Sequence, residues 1–163
     1  MKGPIRAWRI VKKKHIGRAF DGGGARRMGG RWNSPGVAMV YTSATISLAL
    51  LETLVHADQE NLAAGRYVAI PVDIPATVGV RQIDRNMLPK GWRRWDPSLP
   101  ELRKIGDECV REGRQAVLVV PSAVLPQERN YLINPAHKDV KRLIIGPPEP
   151  ISIDGRIVKG EKP

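Results

Sequence analysis

Gly29-Gly30-Arg31-Trp32-Asn33-Ser34-Pro35-Gly36, followed by Val37-Ala38-Met39-Val40-Tyr41 and then Thr42 through Glu52, is the stretch around which the rest of the chain is read. The first eight residues are a glycine-bounded turn. Val37–Tyr41 is a short apolar run, read as a buried strand. Thr42 or Ser43 is placed to cap a helix, since a side-chain oxygen there accepts an orphan backbone N–H of the first turn. Within that helix Ile46, Leu50 and Leu54 recur every four positions, flanked by Leu51 and Val55, which reads as a broad core-facing stripe. Glu52 then shares a different face with Thr45, Ala49 and His56. Arg31, Tyr41 and Glu52 thus arise from a loop, a strand and a helix within 22 positions. That combination suits a phosphate-bearing, sugar-containing ligand. The competing reading leaves Glu52 a solvated surface residue, the usual fate of a lone helical glutamate.

Upstream, Ala7–Val11 reads as a strand ended by Lys12-Lys13-Lys14. Residues 17–30 hold six glycines, several cations and no apolar period, and read as a loop. The loop is not a P-loop, because no Gly-Lys-Ser/Thr follows, and no strand–glycine–helix order makes it a dinucleotide fingerprint. Residues 1–31 carry ten Lys or Arg against the single acid Asp21, so +9 of the net +11 lies there. Such an excess attracts nucleic acid, a phosphorylated small molecule or an acidic protein, or else is a solvated arm.

Downstream, Tyr67–Ile74 reads as a strand that Pro71 makes an edge or a bulge, and Val78–Val80 as a shorter one. Residues 85–95 are irregular, with Trp92 and Trp95 covering the core. Asp96-Pro97 reads as a helix start. Leu99, Leu102, Ile105 and Cys109 form its buried stripe, Arg103–Asp107 and Lys104–Glu108 its exposed i,i+4 pairs, and Gly113 its end. Ala116–Val120 is the candidate central strand. Ser122 lies just past it, where a serine either caps a turn or touches a ligand. A polar segment with Gln127 leads to Tyr131-Leu132-Ile133. Asn134-Pro135 opens a helical turn containing His137, Arg142–Ile145 reads as a strand, and the proline-rich tail is weakly paired.

The bulk numbers fit one domain of 163 residues with one core. No apolar run approaches the ~20 residues of a membrane span, and no apolar signal segment follows the basic start. A single cysteine, Cys109, excludes an internal disulfide, and a cytoplasmic location is expected. Its reading is that of a small core residue. Three histidines and one cysteine, scattered as they are, have no zinc spacing, and neither a Gly-x-Ser-x-Gly elbow nor the clustered acids of a two-metal nuclease is present.

What remains is one helical carboxylate with an upstream Arg and Tyr and a downstream Ser. Ordinary glycosidases need two carboxylates, because their alkoxide-like leaving group must be protonated. Nicotinamide leaves NAD as a neutral molecule from a cationic pyridinium, so no general acid is required. One carboxylate that holds the ribose and stabilises an oxocarbenium-like centre suffices, with an Arg on the diphosphate.

The sequence resembles the RES-domain family, the toxin half of Xre–RES toxin–antitoxin modules. The matching pieces are Trp8-Arg9-Ile10, Gly30-Arg31-Trp32-Asn33, Val40-Tyr41, Ala49-Leu50-Leu51-Glu52, Val120-Pro121-Ser122-Ala123-Val124 and Asn130-Tyr131-Leu132-Ile133-Asn134-Pro135 with His137. They occur in the family's order over residues 7–145, leaving 146–163 as an extension of a single domain. The resemblance implies an α+β fold, a mixed sheet flanked by helices similar to that of ADP-ribosyltransferases. It implies NAD destruction by hydrolysis or phosphorolysis, or transfer of ADP-ribose to a protein, with NAD as substrate and no metal. Arg31 would bind the diphosphate or ribose, Tyr41 stack on nicotinamide, Glu52 orient the ribose and stabilise positive charge, and Ser122 bond the ligand or its attacker. Trp32, Gln127 and Asn134 are further candidates. An Xre-type antitoxin would block the cleft, DNA would be touched only through it, and a toxin dimer would sit within a larger complex. The competing reading is a basic nucleic-acid-binding module. Phe20 is the one aromatic among residues 10–31, which counts against stacking of single strands.

Overall fold

The computed structural model describes residues 3–56, 59–94 and 100–157. Its strands are β1 (Ile5–Lys12), β2 (Val40–Ser43), β3 (Tyr67–Ile74), β4 (Val80–Gln82), β5 (Val117–Pro121), β6 (Arg129–Ile133), β7 (Ile144–Ile145) and β8 (Glu149–Pro150). Its α-helices are α1 (Gly23–Met28), α2 (Ile46–His56), α3 (Gln59–Ala63) and α4 (Pro100–Glu112), with short 3-10 turns at Lys13–Arg18, Arg85–Met87 and Lys138–Arg142. One sheet runs β4-β5-β6-β2-β1-β3-β7, and β8 also pairs with β3. Only β4–β5 is parallel among these pairs, so the sheet is mixed and the fold is α+β, as expected.

The register sorts side chains between two faces, because residues opposite one another point the same way. Ala7, Val40, Val72, Val117, Val119 and Ile133 build one face, covered by Phe20, Val78, Val140 and Leu143. On the other, Leu118, Val120 and Leu132 pack with Leu102 and Cys109 of α4 and with Trp32, Met39 and Trp92. Trp8, Tyr41, Ser43 and Asn130 share this second face, as the pairs Trp8–Ser43, Tyr41–Leu132, Ser43–Asn130 and Val120–Asn130 require.

The two middle strands barely touch. β1 pairs with β3 over eight residues but with β2 only at Trp8–Ser43. Where they part, the carbonyl of Tyr41 takes Nη1 of Arg9 at 2.8 Å, and Nε of Arg9 donates to the carbonyl of Ala19. A guanidinium thus replaces ladder donors that the split removes, satisfying backbone acceptors that would otherwise be buried and unpaired. Burial pulls the Arg9 guanidinium down to about 10, so it stays charged at neutral pH.

Several expectations are corrected. The glycine-rich segment holds helix α1, entered through Gly22 at φ +69°. β2 begins at Val40, three residues late, and α2 is capped by Thr45, whose hydroxyl accepts Leu48 N at 3.0 Å and donates to Glu128 at 2.8 Å. The buried residues of α2 are Leu48 and Ala49, whereas Ile46, Leu51 and Val55 are exposed. Seven of its eleven residues are apolar, so several faces satisfy four-residue spacing and the pattern cannot select one. Val80–Gln82, not Val78–Val80, is the strand, and Ile144–Ile145 is all that remains of the last predicted one.

β5 is buried throughout but lies second from one edge, between β4 and β6, not at the sheet centre. Pro71 sits in an otherwise regular strand: β7 pairs with Val72 and Asp73, β8 with Val68 and Ala69, and Pro71 falls between them, accepting Gly146 N through its carbonyl. Its missing donor therefore faces the gap between two short outer strands. In α4, Leu102 and Cys109 are buried and Lys104 approaches Glu108, but Arg103 and Asp107 do not pair; each is drawn to the glycine turn. The predicted cap at Asp96-Pro97, with Trp95 and Leu99, lies outside the described residues.

Candidate functional site

The glycine turn is built before it is used. Tyr41 O–H donates to Asn33 Oδ1 at 2.7 Å and accepts Trp32 N at 3.1 Å. Fully buried Asn33 donates to the carbonyls of Ala25 and Val37, both at 2.9 Å. From α4, Arg103 Nε donates to the Gly30 carbonyl, and Asp107 accepts both Ser34 N and Ser34 Oγ. Two glycines make this possible. A Cβ on Gly30 would lie 2.6 Å from the Tyr41 hydroxyl, and one on Gly106 of α4 would lie 1.7 Å from the Trp32 carbonyl. Burial raises the Tyr41 phenol strongly, so it remains a neutral donor.

Arg31 projects from this turn. Its Nη1 donates to the carbonyls of Trp92 at 2.7 Å and Arg94 at 3.0 Å, with Nη2 at 3.4 Å from that of Arg93. Arg93 in turn donates to the Ala123 carbonyl at 3.0 Å, tying the segment to the turn after β5. The Arg31 guanidinium is lowered by burial, against which the charge of Glu52 works.

Glu52 is fixed from below. Its Oε1 accepts Ser122 Oγ at 2.7 Å and Asn130 Nδ2 at 2.6 Å; among the described residues Oε2 accepts nothing. Ser122 is fully buried and also accepts Val124 N and Leu125 N, so it both caps its turn and holds the carboxylate. Asn130 is oriented by Ser43, whose hydroxyl donates to Asn130 Oδ1 at 2.8 Å.

These parts meet around one cavity of about 540 Å³, the size of an ordinary small-molecule site. Arg31, Trp32, Tyr41 and Glu52 all line it, with Arg9, Ser43, His56 and Asn130. Arg31 and Glu52 therefore face a shared space. Ser122 stands behind Glu52. Gln127 is exposed and Asn134 bonds the backbone of Val110 and Ala136; neither lines the cavity. Arg9 and Asn130 received no role from the sequence, although both lie inside quoted motifs. Alternation was the available signal for Arg9, since it falls on the side of β1 that buries Ala7 and Val11. Among the described residues no three His, Cys, Asp or Glu converge as metal ligands would, and no helix is long and apolar enough to cross a membrane.

The sequence model of the RES domain matches residues 6–154. The chain belongs to the RES-domain family. It is 36% identical over 162 residues to a protein of Photorhabdus laumondii named toxin Res, an alignment covering 95% of this chain and 98% of that one. A Sphingobium protein named Prs ADP-ribosylating toxin is 38% identical over 138 residues, 82% and 84% of the two chains. The toxin–antitoxin complex MbcT–MbcA of M. tuberculosis holds a chain that superposes with a TM-score of 0.74, at 15% identity, over 93% of this chain and 86% of that one. The RES-domain match runs past Gly146, in keeping with β8, which pairs with β3 there.

Proposed function

We propose that this RES domain is the toxin of a toxin–antitoxin pair and that it cleaves NAD at the nicotinamide–ribose bond. The observation that carries the reading is the placement of Glu52, held among the described residues through Oε1, with Oε2 left to a ligand in the cavity that Arg31 also faces. In the proposed step the bond from C1′ of ribose to the pyridinium nitrogen breaks. Its electron pair neutralises the ring, and nicotinamide leaves without taking a proton. Glu52 stabilises the oxocarbenium-like centre, an interaction stronger in the transition state than in the ground state. Water then adds at C1′ and releases a proton, giving ADP-ribose; a phosphate oxygen adding instead gives the sugar phosphate. Arg31 supplies positive charge for the diphosphate from a guanidinium already fixed by loop carbonyls, so little ordering remains to be done on binding. Tyr41 presents its ring to the cavity while its hydroxyl is spent on the turn, which leaves stacking as its part in binding.

The test is purified protein with NAD, with and without phosphate, products identified by mass. Loss of NAD that Glu52→Gln abolishes supports the reading, and an unchanged rate in the folded variant ends it. Transfer of ADP-ribose to a protein is the second reading, favoured by the name of the Sphingobium relative; labelled ADP-ribose appearing on a lysate protein separates it. An antitoxin is proposed as partner, on the support of a neighbour solved with its antitoxin; its Xre type and a toxin dimer inside the complex are proposed on the family resemblance alone.

A further inference from the structure

Glu52 is held by an asparagine whose amide could point either way. An amide presents an acceptor on one side and a donor on the other, and the two orientations differ by a half-turn. With Nδ2 toward Glu52, the carboxylate is bonded at 2.6 Å. With Oδ1 toward it, two acceptors would meet at that distance, and the charged side chain would be pushed into the cavity. The carboxylate only accepts, so Glu52 itself selects Nδ2, but that single contact leaves the amide free to swing together with the carboxylate when the site is empty of substrate. Ser43 supplies the second hold. Its hydroxyl donates to Asn130 Oδ1 at 2.8 Å from a neighbouring strand, and both residues are buried, at 4% and 9% exposure. The backbone fixes the pair, because Ser43 and Asn130 are directly opposed in the β2–β6 register. The same Ser43 is the single residue of β2 that still pairs with β1, so it cannot drift from the point where the sheet splits.

We infer that Ser43 and Asn130 form a positioning relay that anchors the amide at its far end, and through it holds Glu52 with Oε2 toward the reacting sugar. The chain of donors runs one way: Ser43 Oγ–H to Asn130 Oδ1, Asn130 Nδ2–H to Glu52 Oε1, and Ser122 Oγ–H to the same oxygen. Neither Ser43 nor Asn130 needs to touch the reacting atoms. Supporting groups of this kind set the orientation of a charged ligand-facing group and cost activity when removed, without forming part of the chemistry. The inference rests on the proposed NAD cleavage.

The relay predicts a pattern that loss of packing does not. Ser43→Ala leaves Asn130 Oδ1 without its donor, lets the amide swing with Glu52 and lowers kcat by about tenfold, in the range of lost supporting contacts, with KM changed little. Ser43→Thr keeps the hydroxyl and restores most of kcat. Asn130→Asp places a carboxylate against Glu52 and lowers kcat further, while Asn130→Ala abolishes the effect of Ser43→Ala: the double variant equals Asn130→Ala alone, because Ser43 acts only through Asn130. Thermal melting of each variant monitors folding. Additive effects of Ser43→Ala and Asn130→Ala on kcat overturn the relay, as does equal loss of kcat in Ser43→Ala and Ser43→Thr. If the wild type leaves NAD intact, the proposed reaction fails, and the relay is then read by Glu52 side-chain order. Carboxyl-labelled glutamate NMR should show one Glu52 environment in the wild type and two or a broadened one in Ser43→Ala. An identical Glu52 signal in both proteins overturns the relay independently of any reaction.

Discussion

At the scale of the residue, the site depends on polar groups that are buried and fully engaged, and these are the sensitive positions. Tyr41 shows the logic. Its hydroxyl donates to Asn33 and accepts Trp32 N, so Tyr41→Phe leaves one buried acceptor and one buried donor without partners. The cost expected is about 1–3 kcal/mol, seen as a lower melting temperature, with a larger loss of NAD turnover as the Arg31 turn loosens. The phenol also gives a pH signature. Its folded value is raised above the ordinary 10.0, so between those values the unfolded chain loses a proton that the folded chain keeps. This contribution to stability is whole below pH 10 and falls as pH rises beyond it. Melting followed upward from pH 9 should decline more steeply in wild type than in Tyr41→Phe.

What sequence shows at this level is residue type and spacing. Arg31, Tyr41 and Glu52 stand out by type and spacing, and the structure places all three around one cavity. Asn130, Ser43 and Arg9 were not, because their parts depend on which strands lie side by side. Ser43 and Asn130 are 87 residues apart and meet only through the β2–β6 register. Gln127 and Asn134 lie near the site in sequence, but a turn and a strand carry them out of reach of the cavity.

At the scale of the element, α4 and the glycine turn are one unit. Gly106 lets the Trp32 carbonyl reach the helix, while Arg103 and Asp107 grip the turn on either side. Gly106→Ala should therefore harm the protein even though alanine is the better helix former. The gain in helix propensity is about 1 kcal/mol, whereas the added carbon would sit 1.7 Å from a backbone oxygen and force helix and turn apart. Overpacking of this sort costs roughly 1–3 kcal/mol, so the net change should be destabilising, and NAD turnover should fall with it. A melting temperature equal to or above that of wild type would show that the turn does not lean on α4. The helix was foreseen from its stripe, but its grip on the turn was hidden, because Arg103–Asp107 also fits an ordinary surface pair. The opposite failure occurred at α2, where abundant apolar residues gave a periodicity that pointed to the wrong face.

At the scale of the whole molecule, charge is distributed unevenly about the cavity. Burial lowers His15, and the charges of Lys14, Arg18, Lys12 and Arg27 lower it further, so four cations cluster within electrostatic reach of one imidazole. Gly24, Ala25 and Met28 of α1, the element that carries Arg27, border the cavity. An acidic partner surface would be steered toward the opening by this field. Replacing Lys13, Lys14 and Arg18, all exposed, with Gln should slow association with an antitoxin by about tenfold at low salt and flatten its salt dependence, while NAD turnover by the free protein stays the same. Rapid-mixing measurements over a range of salt check this; unchanged association means that the basic cluster serves something else. The mixed sheet and its helices were legible as a class from strand and helix patterns together with the family resemblance. The split between β1 and β2, which opens the cavity, was not, since a single-residue pairing leaves no mark on either strand's composition.

In the proposed reaction one carboxylate, fixed on its inner oxygen and sharing a cavity with a guanidinium, cleaves a cationic N-glycoside without a proton donor. The most direct measurement is NAD consumption by purified wild type and Glu52→Gln, with nicotinamide quantified by mass. Wild type should release nicotinamide in step with NAD loss, and the variant should be slower by about a hundred- to a thousandfold at unchanged melting temperature. Nicotinamide released at the same rate by a folded Glu52→Gln protein would contradict it.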